Sequence, residues 1–301
     1  MRKIFLSLMV LFFTTSMFAI SAKMAEADKL HEDADYTAEF SLLQNELSSA
    51  TNNNEKSEIL WRMSRAGLVI TDQLERDGAS KEKLLDEFKK SWDYATKSLS
   101  FNSNNYNAYY WRAANIGRWG QTKGILDSLF KAGDMRDDLE RAVNSNPNHG
   151  DSYKVLGMLY DSVPGVISFG NKAYAVSLGR KSVDNQDEPN RPYEYSYYLE
   201  LAKHLWNRKW KEGKRISEQK KEKSKFNSKS SQMEKNWFYD GLVDYSKATA
   251  YSSNGIKNMS DREEAVIILK WLVVELDKFP NKKPGDFDDM DEAKELLADW
   301  E

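Results

Sequence analysis

The chain has 301 residues, with 44 Lys and Arg against 47 Asp and Glu, and 40% of it is hydrophobic, including 9 Trp, 15 Tyr and 13 Phe. That aromatic content excludes a disordered chain, and the formal net charge of −3 excludes a generally basic nucleic-acid binder. With no Cys there is no disulfide framework, thiolate nucleophile, cysteine zinc site or iron–sulfur cluster, and six Pro with 15 Gly argue against a turn-rich β-sandwich.

At the N-terminus, Arg2 and Lys3 precede an apolar run from Ile4 to Ile20, and Ala19 and Ser21 place small residues ahead of Ala22. This is the pattern of a signal peptide over residues 1–22. An uncleaved anchor is the alternative, since the run sits at the short edge of what spans a bilayer. Cleavage would leave 42 basic and 47 acidic residues, a formal charge of −5. Export without disulfides points to a bacterial periplasm, or to secretion from the cell envelope. A chain without Cys is not a diacylglyceryl-modified lipoprotein.

Residues 23–301 read as a single helical-repeat domain, clearest over 56–210. The stretch from Trp61 to Gly67 recurs from Trp111 to Gly117, 50 residues on. The stretch from Lys97 to Asn105 recurs from Arg141 to His149, 44 residues on, and a looser copy at Arg180–Val183 runs into Pro189 and Asn190. Each copy is a helix end followed by an Asn/Pro stop, after which an aromatic-rich helix begins at Tyr106, Gly150 and Pro192. Ala113, Gly157 and Ala202, spaced by 44 and 45 residues, are the small residues expected where paired helices cross closely. The excess over a shorter repeat is expected in loops such as 117–133 and 162–170.

Beyond the repeats, residues 208–231 form a lysine-rich arm, read as an exposed helix ending in a loop, and 232–301 hold further helices. Trp237, Tyr239, Leu242, Tyr245 and Ala248 have the spacing of an amphipathic helix. Ser260 and Glu263 form a capping-box pattern opening a helix to Phe279, which Pro280 and Pro284 terminate. A short acidic helix from Asp289 to Trp300 closes the chain. Lys203–Lys235 carries 12 basic and four acidic residues, whereas Pro284–Glu301 carries eight acidic residues and one Lys. The plain reading is solvated faces with mutual attraction; the sharper one is a basic patch for a partner or an anionic lipid surface.

Ala142, Val143 and Pro147, followed by Tyr153, Leu156, Gly157 and Tyr160, resemble the junction of two tetratricopeptide repeats. The run Trp111-Arg112-Ala113, with Asn148-His149-Gly150, Val163-Pro164-Gly165 and Ser168-Phe169-Gly170-Asn171, looks like a divergent subgroup. That subgroup contains the periplasmic T component of TRAP transporters and the regulator-of-microtubule-dynamics proteins. The resemblance implies an all-α, tetratricopeptide-like α-solenoid with elongated intra-repeat loops and extra C-terminal helices. It also implies a non-catalytic binding or scaffold protein, with an accessory role to a TRAP-type solute transporter. The bacterial members are typically exported lipoproteins, and this chain departs from them in lacking the lipid-bearing Cys.

Chemical signatures are sparse. His31, His149 and His204 lie in different elements, so no transition-metal site is expected. The acids Asp286, Asp288, Asp289, Asp291 and Glu292 lack the Gly and the final Glu of a calcium loop. No nucleophile-elbow, phosphate-loop or dinucleotide motif appears, and neither catalysis nor a cofactor is expected. The aromatics are candidates either for core or for a groove lined by the first helices of successive repeats. In the family register Tyr110, Lys154 and Leu199 share one inward position, Asp161 and Trp206 another, with Trp111 adjoining. This lining suits a protein partner such as a periplasmic solute-binding protein, or a small amphipathic ligand. A general adaptor in envelope assembly, or a membrane-surface protein using the basic arm, are the alternatives.

Overall fold

The computed structural model describes residues 22–186 and 191–300, with the side chains of 125–128 excepted. The predicted leader therefore lies outside the described residues, apart from residue 22. Thirteen α-helices and one 3₁₀ turn are found among the described residues, and the β-structure there is a single bridge between Thr249 and Ser252. The chain, read from sequence as one repeat domain, divides into two compact units between Ser145 and Asn146, within an Asn/Pro stop.

The first unit holds α1 (22–32), α2 (Tyr36–Ser49), α3 (Asn53–Arg76), α4 (Lys81–Phe101), α5 (Tyr106–Lys123) and α6 (Ile125–Ser145). Polar residues start these helices. Asn52 accepts from the Glu55 N–H while Glu55 reaches back to the Asn52 N–H, a reciprocal cap, and Ser80 and Asn105 cap α4 and α5. From α2 to α6 each helix packs on the next, and α3 also touches α5, the first helix of the following pair. Leu43, Ile59, Leu60 and Met63 form one cluster, and Leu68, Leu84 and Phe88 another. A Cβ at Gly67 would stand 2.3 Å from Ser91 Oγ, so glycine lets α3 and α4 approach. The repeated Trp-Arg motif finds different partners in its two copies: Arg62 pairs with Asp28, and Arg112 with Asp138.

The second unit holds α7 (Gly150–Ser162), α8 (Lys172–Asp184), α9 (Tyr195–Arg208), α10 (Glu212–Ser228), α11 (Gln232–Asn236), the 3₁₀ turn Tyr239–Leu242, α12 (Asp261–Lys278) and α13 (Pro284–Trp300). Helices α7, α8 and α9 continue the repeat pattern. The partner of α9 is then α12, far downstream, while α10 packs on the 3₁₀ turn. Val176, Leu199, Leu201, Ala202, Leu205, Ile268, Leu269 and Leu272 build the core between them.

Ser260 does open α12 through a reciprocal cap with Glu263, and the helix stops at Phe279. The span 117–133 is helical except around Gly124, because long α5 and α6, of 18 and 21 residues, take up the longer period; 163–171 is a true loop. The lysine-rich arm is helical to Ser228 and anchored by buried Arg215 and Glu222. The amphipathic helix read over 237–248 is replaced by the 3₁₀ turn, because a Cβ at Gly241 would meet the Lys223 N at 2.3 Å and Asp240 is drawn into an ionic core. The last helix begins at Pro284, five residues before the expected Asp289.

Candidate functional site: the first-helix face of the second unit

Of the six residues expected to line a groove, Tyr110 and Trp111 belong to the first unit. Tyr110 is buried and meets Trp111 edge to face at 4.9 Å, and Trp111 packs against the Leu68–Leu84–Phe88 cluster. Lys154, Asp161, Leu199 and Trp206 belong to the second unit, on α7 and α9, two helices in contact.

Lys154 is half-buried rather than freely solvated. Its Nζ donates to Ser196 Oγ at 3.1 Å, approaches Asp151 at 3.5 Å and lies 5.3 Å from the Tyr197 ring centre. Burial alone would lower its pKa, but Asp151, Glu194, Asp289 and Glu200 outweigh burial and raise it. Asp161 is buried at the other end of α7, where Asn207 Nδ2 donates to it at 2.7 Å, His204 Nδ1 lies 3.2 Å away and Lys172 Nζ reaches it at 2.7 Å. Burial pushes the Asp161 carboxyl upward, yet His204, Lys172 and Asn207 hold it below its ordinary value. Leu199, expected at the groove, is 2% exposed and belongs to the core between α9 and α12. Trp206 is covered by the chain itself: it stacks on Trp300 with ring centres 4.1 Å apart and planes 2° apart, and Arg262 lies 4.3 Å from its ring centre.

The small residue at Gly157 sits where the repeat register requires it. A Cβ there would come 2.9 Å from His204 Nε2 on α9 and 3.3 Å from the Ala175 carbonyl on α8. His204 Nε2 is itself buried without a hydrogen-bond partner, so the imidazole is held by Asp161 alone and serves as packing. His149 accepts or donates at Nδ1 to Ser152 Oγ, 2.7 Å away, at the start of α7.

The largest ionic feature lies between α8, α9, α10 and α12, and sequence reasoning missed it. Arg180, Arg208 and Arg215 meet Asp240, Asp261 and Glu264, all buried. Arg208 is bidentate to Asp261 at 2.8 Å on both arms and also reaches Asp240 at 2.7 Å. Burial would raise the Asp240 carboxyl, but Arg208 and Arg180 hold it far below the usual carboxylate range. Tyr245 donates to Asp240 and Tyr251 to Glu264, which closes the network. Its members are separated by up to 84 positions in sequence, so no local pattern marks them. The network fastens α10 and α12 to the repeats, and every carboxylate in it has a cationic partner; it is a structural clamp. No group of three His, Asp or Glu able to hold a metal occurs among the described residues.

Known proteins can be set against this geometry. Regulator of microtubule dynamics protein 1 of Pongo abelii is 27% identical over 145 residues, 48% of this chain and 45% of that one. The Bos taurus protein of the same name is 28% identical over 140 residues, 46% of this chain and 43% of that one. The matched stretch thus spans less than half the length of these curated relatives. Among solved structures, a thermophilic TPR protein of Thermus thermophilus gives a TM-score of 0.46 at 11% identity, covering 74% of this chain and 98% of that one. The MamA protein gives 0.38 at 17% identity, covering 63% and 82%. The successive packed helix pairs are a tetratricopeptide-like helical-repeat fold. The family described as Regulator of microtubule dynamics protein 1-3 matches residues 23–182, α1 to most of α8. This chain belongs to that family.

Proposed function

We propose that this chain is a non-catalytic scaffold of the cell envelope, exported by its N-terminal leader, that takes a protein partner on the α7–α9 face. The observation that carries the reading is the shared face itself. Two first helices of successive pairs are in contact there and present Lys154, Ser196 and Asn207 from rigid elements. The partner implied by the resemblance to the TRAP-associated subgroup is a periplasmic solute-binding protein. The name of the curated relatives refers to microtubule dynamics; what carries over to this chain is partner binding by helical repeats, and the leader pattern supports an envelope location.

The test is photocrosslinking from exposed position 207 on α9 in the native envelope, followed by identification of the adduct. A solute-binding protein recovered there supports the accessory role, and loss of that adduct in Lys154→Glu locates the face. Lipid adducts alone would instead favour a membrane-surface role for the exposed lysines of α10, such as Lys220, Lys221 and Lys223. Retention of Met1 on protein from the envelope would overturn leader cleavage.

A further inference from the structure

The α9 side of this face is already covered in the structure, by the last helix of the same chain, which reaches it from α12. Helix α13 packs on both α9 and α12. Trp300 lies flat on Trp206, Glu292 accepts from Lys203 Nζ at 2.9 Å, and Asp286 accepts from Arg191 Nη2 at 2.5 Å. Between these, Ala293 is fully buried, and Met290, Leu296, Leu297 and Trp300 pack against the cluster that contains Leu199, Ala202 and Leu205. The occupant is an acidic amphipathic helix ending in Trp, whose carboxylates meet Lys203 and Arg191.

The seating is light. Only Asp286 and Ala293 of the 17 residues in α13 are buried, against seven in the 18 residues of α12. It also gathers like charge. Asp289, within reach of Lys154, faces Glu194, Asp286 and Glu292, and burial followed by these neighbours pushes it up to about 7. A helix with few buried contacts and crowded carboxylates opens locally before the core it covers.

We infer that α13 is a resident ligand: the α9–α12 surface, which adjoins Lys154 of α7, is a receptor for an acidic amphipathic helix bearing an aromatic residue, and a partner engages it by supplying such a helix in place of α13. This rests on the proposed partner-binding role of the face and adds the chemistry of the partner. Lys203 and Lys154 supply the cations, and Trp206 supplies the aromatic platform.

Two measurements on the full chain test it. In native-state hydrogen exchange, the α13 amides are expected to exchange at least tenfold faster than those of α12; exchange of both helices at one rate would overturn the inference. The second uses a labelled peptide of residues 284–301 and the full-length double variant Trp300→Ala, Glu292→Ala, which loosens the resident helix. The peptide should bind the folded variant about tenfold or more tighter than the wild type, and Lys203→Glu in the variant should abolish the gain. Equal binding to wild type and to a variant that still melts cooperatively would refute it. If the variant fails to fold, the exchange result on the unmodified chain decides. Crosslinks of a partner to α7 and α9 while α13 stays closed would sink this inference and leave the envelope scaffold standing. Peptide binding with no crosslinked envelope protein would support the receptor and sink the scaffold role.

Discussion

Glu222 offers a pH-dependent test of how α10 is held. Its side chain is 4% exposed on α10, and Oε2 has no hydrogen-bond partner. Burial, and then Asp240, push its carboxyl up to about 7, with Lys225 and Arg208 opposing. The ordinary value is 4.5, so between pH 4.5 and about 7 the unfolded chain is ionised at this site while the folded chain keeps the proton. Folding takes up a proton in that window, so the site's stabilising effect is complete below about 4.5 and is lost as pH rises to about 7. The gap corresponds to about 3 kcal/mol. Glu222→Gln removes the titration. The variant should match the wild type near pH 4.5 and exceed it by about 3 kcal/mol at pH 8, a gain of roughly 6–12 °C for a unit of this size. Thermal melts of both proteins from pH 4.5 to 8 measure the difference and cancel every other titrating group. A Tm difference that stays constant across the range would refute the reasoning, and would mean that Oε2 is solvated or paired in solution.

Three further outcomes follow from the packing. Gly157→Leu forces a side chain into the gap between His204 and the Ala175 carbonyl and should cost more than about 1–3 kcal/mol, read as a lowered melting temperature; an unchanged melt would show that the helix register is wrong. Arg208→Ala leaves Asp240 and Asp261 buried with a missing partner and should cost about 3–5 kcal/mol in denaturant unfolding, whereas a loss under about 1 kcal/mol would mean that water enters the clamp. Trp206→Ala removes the platform between Trp300 and Arg262 and should cost about 3 kcal/mol by chemical denaturation; unchanged stability would place Trp206 in an open groove instead.

What the sequence determined by itself was local or periodic. The reciprocal cap of Ser260 and Glu263 lies within four residues, and it opened α12 where expected. Gly157 marked a helix crossing because close approach of two backbones admits few side chains, and the junction from Ala142 to Tyr160 pointed to the right repeat family. Tertiary structure decided everything carried by long-range pairing. The spacing of Trp237 to Ala248 favoured a helix, but the pull of Arg180 and Arg208 on Asp240 and the contact of Gly241 with α10 imposed a turn. The lysine-rich arm looked solvated because Arg215 could not be matched to Asp261 and Glu264 before α12 was placed beside it. The register put Lys154 and Trp206 on adjoining first helices, yet a helical period carries no information about what covers that face. Covering was settled by the return of α13, whose Trp300 lies 94 positions from the Trp206 it stacks on. The physical reason is that propensity and capping act over one helical turn, while burial and charge pairing depend on which surfaces the folded chain brings together.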